Sequence, residues 1–512
     1  MKVSKTLDTI IFDNLRIFYM NRKYQYRSYI FLAIVFISIA LRLHDLGRVS
    51  LWFDEAIAVN WADNLSGVFK NNVCTPPLYF LLLFCWRILG DGEFILRLLS
   101  VIFGIGSVVG IYFLGKIFFD TKTAIISSFI LALAPFHIYY SQELTMYSLF
   151  SFLILLAILC FKKALKYEKW GFWIGFSIFS ALSILTHYIA VLILFAEIVF
   201  FLLFWREYKA LLNKWIKSHL LILLFISPWL PLIVKHTIFG INSSLGFWIF
   251  WLPSLSWQTI IITLKNFSIG YNATYPVLFI ASAAYFLLFI FGVYSIKKRS
   301  DLFLLLFLIF IPILIALLLY QLKVGVYVDR YFLPGAFFYY LIVAKGLSHF
   351  KRNILLFTML ILISILNGLA LKNYYLNNLP KLKSKHFIGI QKKLDFRSAA
   401  YYIAENFQEG DIIIHTSENS IFPLEYYLTS QRLRNSENFS LFSEEGYQRR
   451  WARLSNDLNT VELVKCDLDV INPYYTGSSF DFEKFTLGQY DRTWVIFFFK
   501  FETADKLSLI HI

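Results

Sequence analysis

The stretch TAIISSFILALAPFHIYYSQELTMYSLFSFLILLAILC, residues 123–160, contains two long apolar runs joined by a short polar turn. Each run is close to the ~20 residues that a helix needs to cross a bilayer. Since the turn is too short to hold a domain, it predicts a tight connection at one membrane surface. The stretch therefore predicts two antiparallel transmembrane helices.

The composition of the whole chain agrees with that prediction. Of its 512 residues, 58% are hydrophobic and 16% are charged, and the mean hydropathy is +0.62. Soluble domains contain roughly 45–50% apolar and ~25% charged residues. The four cysteines show neither a disulfide framework nor metal-ligand spacing. We therefore expect a polytopic α-helical membrane protein and exclude soluble, collagen-like, disordered and DNA-binding classes.

Hydropathy predicts eleven transmembrane helices. The first lies near the N-terminus, and because its basic leader is long and no clear cleavage site follows, we expect it to be retained. The apolar segments are residues 28–43, 94–116, 123–141, 146–162, 170–186, 188–205, 218–235, 274–296, 302–322, 331–347 and 353–371.

The segment PPLYFLLLFCWRILG, residues 76–90, is short for a membrane span and suits an interfacial helix. Leaving it outside the membrane puts more than twice as many Lys and Arg residues on one side as on the other, up to residue 371. The positive-inside rule then predicts a cytoplasmic N-terminus in the cell membrane and outer loops at 42–93 and 236–273. The net charge of +15 is interpreted as an orientation signal, not a substrate-binding patch.

The composition changes after the predicted transmembrane domain, residues 1–371. Residues 372–512 are less apolar and nearly balanced in charge. Within them, FRSAAYYIAENF predicts an amphipathic helix with Gly410 as a C-cap, and DIIIH and TWVIFFF (493–499) predict buried strands. We expect a small extracytoplasmic α/β domain.

Two adjacent carboxylates stand in the first outer loop. Asp54 and Glu55 lie in LWFDEA, where apolar neighbours beside the bilayer favour a raised carboxyl pKa and so a general base. The alternative is that Asp54 caps a helix and pairs with Arg42 or Arg48.

A second acidic position lies on the same predicted side. The turn APFHIYYSQELTMYSL holds Glu143 only three residues before the next span, so it must stay near the membrane surface. It can contribute to a site with Asp54, or it can be an ordinary loop carboxylate. Its polar neighbours His137, Tyr139, Tyr140 and Gln142 are candidate substrate-binding residues.

Other outer polar residues are weaker candidates. His187 is a candidate ligand or a packing residue. Arg330 and Arg87 can clamp a phosphate or can extend to the interface; Lys323 and Tyr79 complete the candidate binding set. The sequence contains no nucleotide loop and no zinc signature, so we predict no metal site, and a divalent cofactor stays open.

Several stretches together resemble a known family. LWFDEA, PPLYFLLLFCWRILGDGEFILRLLSVIFG, YYSQE, THY and DRYFLP are similar to motifs of glycosyltransferase family 39, which includes protein O-mannosyltransferases and bacterial aminoarabinose transferases. The resemblance covers most of residues 28–350, and DFRSAAYYIAENFQEGDIII resembles the outer domain of prokaryotic members. It implies the GT-C membrane fold with juxtamembrane helices in the first outer loop.

The resemblance also implies a reaction. A polyprenyl-phosphate-linked sugar would be transferred on the outer side to an acceptor protein, lipid or polysaccharide, without nucleic acid. Asp54 matches the catalytic base, Glu55 its motif partner, and Glu143 an active-site acid. The alternatives are a flippase or transporter of lipid-linked glycans, and a glycan polymerase or ligase.

The sequence departs from the family pattern in two places. Thr75 stands where many members have His, and Leu144 and Thr145 replace an Ala-Arg pair. The second departure predicts that a cation is missing near Glu143.

Overall fold

The computed structural model describes most of the membrane region and parts of the C-terminal region. The described residues are 25–65, 68, 76–231, 257–270, 275–322, 327–376, 378, 393–406, 411–415, 418–429, 451–453, 492–498 and 507–511.

Helices dominate residues 25–376. In chain order they are α1 Gln25–Leu43, α2 Phe53–Trp61, α3 Leu78–Trp86, α4 Glu93–Phe118, α5 Thr121–Leu133, α6 Pro135–Ser141, α7 Tyr147–Tyr167, α8 Trp170–Ile184, α9 Ala190–Leu203, α10 Leu212–Ile226, α11 Trp257–Ser268, α12 Tyr275–Ser295, α13 Arg299–Gln321, α14 Leu333–Ser348 and α15 Asn353–Tyr375. Short 3₁₀ turns follow α3 at Arg87–Leu89 and precede α14 at Asp329–Phe332.

The C-terminal region mixes helices and strands. Its elements are α16 Phe396–Asn406, β1 Asp411–His415, α17 Glu418–Leu428, β2 Trp451–Arg453, β3 Arg492–Phe498 and β4 Leu507–His511. The strands form one sheet in the order β2-β1-β3-β4. β1 is parallel to β2 and to β3, whereas β3 and β4 are antiparallel, with Ile413 opposite both Trp451 and Trp494. The predicted helix and both predicted strands are thus present; Gly410 lies outside the described residues.

Each of the eleven predicted apolar segments overlaps a helix. Among the described residues, seven helices are long and apolar enough to cross a membrane, one of them the continuous stretch Trp205–Trp229 that contains α10. There are eight if α5 and α6 form one bent span. The chain is therefore an integral membrane protein of mostly helical fold. Since α8, α9 and α14 have only 14 to 16 residues, the number of spans stays a prediction.

The predicted continuous helix at 123–141 is wrong, because α5 and α6 meet at a bend of 62°. Pro135 begins α6, and Ala134 before it is extended (ψ 112°), as sterics before proline require. The guanidinium of Arg42 donates to the carbonyls of Leu131 and Ala132, each at 3.2 Å. It thereby supplies donors to carbonyls at the break, where Pro135 has no N–H to donate to Leu131.

Glu197 lies inside α9, where an uncompensated charge would be unfavourable. Its side chain is fully buried and accepts a hydrogen bond from Trp215 Nε1 at 2.8 Å. His219 Nε2 lies 3.2 Å from its other oxygen. Helix α10 therefore supplies the polar partners of this buried carboxyl group.

The predicted first outer loop and the C-terminal helices share a second apolar core. Phe396, Ala400 and Ile403 follow helical spacing on one buried face of α16. They belong to one cluster with Ala58 and Val59 of α2. The C-terminal helices thus cover α2, which carries Asp54 and Glu55.

Close packing of α12 against α14 generates the first prediction. A Cβ at Gly292 would overlap the backbone carbonyl of Ile342, and one at Gly346 would contact the carbonyl of Leu288 at 2.5 Å. Small residues let membrane helices approach closely. We expect Gly292→Ala to destabilise the protein by about 1–3 kcal/mol, measured as a lower thermal midpoint in detergent.

Gly368 in α15 provides the matched control, because a Cβ there meets no atom within 4 Å. Gly368→Ala should leave stability unchanged or raise it by up to ~1 kcal/mol through helix propensity. Equal midpoints for the two variants would contradict the packing argument.

Candidate functional site

Asp54 forms an ion pair with Arg330 across 276 positions of sequence. Arg330 Nη1 lies 2.8 Å from Asp54 Oδ2, and the side chains are 14% and 29% exposed. Asp54 is the second residue of α2, so its carboxylate projects from the first helical turn. The alternative pairing with Arg42 or Arg48 is not observed, since Arg48 pairs with Asp45 instead.

Arg330 is held in place by its neighbour in the 3₁₀ turn. Asp329 is buried and accepts hydrogen bonds from Thr263 and from Asn266 Nδ2, the latter at 2.8 Å. The Tyr327 and Thr263 hydroxyls are 2.6 Å apart. Burial raises the pKa of Asp329 to about 7, although both hydrogen bonds oppose this. Helix α11, which lies in the predicted second outer loop, therefore positions Arg330.

Aromatic rings line the other side of Arg330. Its guanidinium carbon lies 5.1 Å from the ring centroid of Tyr147, within cation–π range. The His187 ring lies 4.6 Å from Tyr331 and 5.8 Å from Tyr147. Burial and the charge of Arg330 lower the pKa of His187 to about 3, so the ring is neutral. Its Nδ1 accepts from the Ile189 N–H at 3.2 Å, which places the ring proton on Nε2.

Glu55, adjacent to Asp54, is fully buried. Arg97 binds it with both arms of its guanidinium, Nε to Oε1 and Nη2 to Oε2, each at 2.8 Å. The Leu144 N–H donates to Oε1 at 3.0 Å and Lys393 Nζ to Oε2 at 2.9 Å. Burial alone would raise the pKa of Glu55, but Arg97 and Lys393 outweigh it and lower the pKa. Glu55 thus carries a fixed negative charge.

Glu143 is also fully buried, in the turn between α6 and α7. Its Oε1 lies 3.8 Å from Lys393 Nζ. Burial raises the pKa of Glu143 above its usual range, Lys393 opposes this, and the charge of Glu55 raises it further. A carboxyl of this kind can change protonation near neutral pH.

Lys393 was missed by sequence reasoning, which predicted that a cation is missing near Glu143. That prediction is wrong, because a lysine 250 positions later supplies the charge. Lys393 belongs to no motif, and its only signal is a position just before the amphipathic helix α16. Nothing in such a signal indicates a partner in the membrane region.

Several predicted binding residues stabilise the scaffold around the site. His137 Nδ1 lies 2.7 Å from Arg42 Nη2, and Gln142 Nε2 donates to the carbonyls of Arg42 and His44 at 3.1 and 2.8 Å. Both side chains therefore hold the C-terminal end of α1. Arg87 pairs with Asp63 at 3.0 Å and so ties α3 to the chain that follows α2.

The tyrosines that were predicted to bind substrate are buried close to Glu55 and Glu143. The Tyr79 hydroxyl lies 3.3 Å from Ser100 Oγ. Tyr139 packs against Tyr374 and Tyr140 against Tyr147, with ring centroids 5.5 Å apart in each pair. Lys323 lies outside the described residues. In the part of the chain that the structure describes, no group of three or more His, Cys, Asp or Glu side chains could hold a metal ion.

The contrast between Asp54 and Glu55 generates the second prediction. Removing one partner of a buried ion pair leaves an uncompensated charge, which lowers the free energy of unfolding by about 3–5 kcal/mol. Glu55→Gln should therefore lower the thermal midpoint markedly, because it leaves Arg97 buried without its anion. Asp54→Asn, an equivalent change at a partly exposed position, should lower the midpoint far less. Similar losses for both variants would contradict the structural role of Glu55.

Comparison with known proteins agrees with this architecture. Residues 74–232 match the family described as dolichyl-phosphate-mannose-protein mannosyltransferase. No curated protein sequence matches the chain significantly.

Two solved structures share the fold. The chain is 11% identical to ArnT from Cupriavidus metallidurans bound to undecaprenyl phosphate, with a TM-score of 0.53 over 77% of this chain and 84% of that one. It is 14% identical to the Archaeoglobus fulgidus oligosaccharyltransferase in complex with zinc and sulfate, with a TM-score of 0.50 over 77% and 61%. At these identities the likeness is one of fold. Together with the family match over residues 74–232, it confirms the expected resemblance in fold and in that segment.

Proposed function

We propose that this protein is a membrane glycosyltransferase that moves a sugar from a polyprenyl-phosphate-linked donor to an acceptor hydroxyl. The observation that carries the proposal is the Asp54–Arg330 pair, a partly exposed carboxylate beside a guanidinium. The Asp54 carboxylate can take the proton of the acceptor hydroxyl, and the Arg330 guanidinium can bind a phosphate. The matched mannosyltransferase family and the undecaprenyl-phosphate-bound ArnT support this class of donor.

The proposed site faces the extracytoplasmic side of the cell membrane. The Lys and Arg residues concentrate in the predicted loops on the opposite side, which assigns the N-terminus to the cytoplasm. A lipid-linked donor suits this orientation because it arrives within the membrane. Acceptors on that side include proteins, lipids and polysaccharides of the cell envelope.

Asp54 acts as the general base. The acceptor oxygen attacks the anomeric carbon while its proton passes to the Asp54 carboxylate, and the bond from the anomeric carbon to the phosphate oxygen breaks. The lipid phosphate leaves with that electron pair. Because the attack is direct, the anomeric configuration inverts. The leaving phosphate is already a stable anion, so it needs stabilisation by positive charge more than protonation.

Arg330 supplies that positive charge. Its planar guanidinium matches the geometry of phosphate oxygens, and the ring of Tyr147 supports one face. Its present partner is Asp54. A phosphate that takes up the guanidinium donors leaves the Asp54 carboxylate to the acceptor hydroxyl, so donor binding and exposure of the base occur together.

Glu143 orients the acceptor, and Glu55 positions both Asp54 and Glu143. The Glu55 carboxylate accepts from the backbone N–H of Leu144, next to Glu143, and from that of Trp52, just before Asp54. One buried anion thus fixes the two backbone segments that carry the reactive carboxyls.

The third prediction tests the base. Asp54→Asn should lower transfer by about 10²–10⁴-fold, the usual contribution of a general base, while donor binding is retained. The measurement is product formation from a panel of polyprenyl-phosphate sugars in proteoliposomes.

Asp45→Asn is the matched control. Asp45 lies in the same outer loop, is 31% exposed and pairs with Arg48, and its left-handed backbone (φ 56°) accepts asparagine. It should retain transfer. Near-wild-type turnover by folded Asp54→Asn protein would rule out Asp54 as the base. Movement of the labelled lipid across the membrane without sugar release would instead identify a flippase.

The fourth prediction concerns Arg330. Hydrogen bonds to a charged group contribute about 1.5–3 kcal/mol, so Arg330→Met should weaken binding of undecaprenyl phosphate by roughly 10–100-fold. Arg330→Lys keeps the charge without the planar fork and should give an intermediate loss. Binding is measured by titration of the purified protein in nanodiscs. Wild-type affinity in the Met variant would exclude Arg330 as the phosphate ligand.

A further inference from the structure

Four ionisable side chains from distant parts of the chain meet in one buried cluster. They are Glu55 of α2, Arg97 of α4, Glu143 of the α6–α7 turn and Lys393, which precedes α16. The two carboxylates are fully buried, and Arg97 and Lys393 are 2% and 11% exposed. In such surroundings the charges must nearly balance, because an unpaired buried charge is strongly unfavourable.

Lys393 lies between the two carboxylates, 2.9 Å from Glu55 Oε2 and 3.8 Å from Glu143 Oε1. Arg97 contacts both oxygens of Glu55 at 2.8 Å, which is a complete bidentate pair. Lys393 therefore leaves a surplus positive charge unless Glu143, 3.8 Å away, is ionised. The charge state of Glu143 is thus coupled to a residue outside the membrane region.

We propose that Lys393 is a positioning residue of the transferase site, which holds Glu143 in its ionised form so that Glu143 can accept a hydrogen bond from the acceptor hydroxyl. The inference rests on the proposed function, and it makes the C-terminal segment part of the site.

The segment that carries Lys393 is anchored to the loop before Asp54. Arg397 Nη2 lies 2.7 Å from the Glu93 carboxylate. The Tyr427 hydroxyl donates to the same carboxylate at 3.1 Å and accepts from the Leu51 N–H at 2.7 Å. Ser50 Oγ donates to Asp395 Oδ1 at 2.9 Å. These bonds fix the residues that follow Lys393 against the loop before α2 and the start of α4, which places Lys393 beside the cluster.

Other charged and titratable groups also face Glu143. They come from every element packed around it, and the same set remains when Lys393 is replaced. They are Glu55, Tyr79, Arg97, Tyr139, Tyr140, Tyr147, Arg330 and Tyr374.

The fifth prediction is a shift in the titration of Glu143. An opposite charge at this distance lowers a carboxyl pKa by about 1–3 units. Lys393→Met should therefore move the titration midpoint of Glu143 up by about 1–2 pH units. Infrared difference spectroscopy of the full-length protein in nanodiscs measures it, with the carboxyl band assigned by its loss in Glu143→Gln.

Transfer activity provides the second measurement. If ionised Glu143 is the active form, the rise of activity with pH in Lys393→Met should move upward by the same amount. Lys393→Arg, which keeps the charge, should stay near the wild-type profile. Lys372→Met removes an exposed lysine at the end of α15 and is the control for loss of one positive charge.

A double-mutant cycle excludes a merely structural role. Glu143→Gln combined with Lys393→Met restores charge balance, so the double variant should fold and should transfer at the rate of Glu143→Gln alone. An unmoved midpoint in Lys393→Met, or additive losses in the double variant, would overturn the inference. If Lys393→Met alone does not fold, the comparison of the double variant with Glu143→Gln still decides.

The two proposals fail separately. The infrared midpoint needs no donor, so wild-type protein that transfers no sugar would refute the proposed function while the Lys393–Glu143 coupling could still be measured. If the wild-type protein transfers sugar and Lys393→Met has the same pH profile as the wild type, only the role of Lys393 is refuted.

Discussion

Glu55 carries a buried negative charge whose two oxygens receive donors from four parts of the chain. Arg97 comes from α4, the Leu144 N–H from the α6–α7 turn, the Trp52 N–H from the start of α2, and Lys393 from the C-terminal segment. A buried carboxylate is tolerated only when such partners compensate its desolvation. The four segments must therefore come together around the Glu55 carboxylate, and this contact positions the rest of the site.

The adjacent position has the opposite environment. Successive helical residues point about 100° apart, so Asp54 leaves the core that Glu55 enters. Asp54 remains 29% exposed and meets Arg330, whereas Glu55 is enclosed. The motif Asp-Glu thus combines an accessible carboxylate with one that fixes its backbone. This explains why two acidic residues stand side by side at the membrane surface.

Sequence patterns predicted the helices and the acidic positions at Asp54, Glu55 and Glu143, because hydropathy and charge beside apolar segments are local signals. They did not predict the break before Pro135, although proline is a local signal for one. The Arg42 donors at the break come from another helix and have no local signal. His137 was interpreted as a substrate ligand, yet it holds Arg42. A polar residue at the outer end of a helix looks the same in sequence whether it contacts substrate or scaffold. The partners Arg330 and Lys393 have no local signal for their pairing.

The change in composition near residue 372 separates two kinds of sequence, but it does not separate two functional units. Without Lys393 the cluster would hold two carboxylates and a single cation, Arg97, already satisfied by Glu55. Glu143 would then be protonated to avoid an isolated buried charge. The C-terminal segment is docked on α2 through an apolar core and on α4 through the Arg397–Glu93 pair, and this docking brings Lys393 to the cluster. If Lys393 has the role we propose, the protonation state of Glu143 depends on the folding of the C-terminal segment.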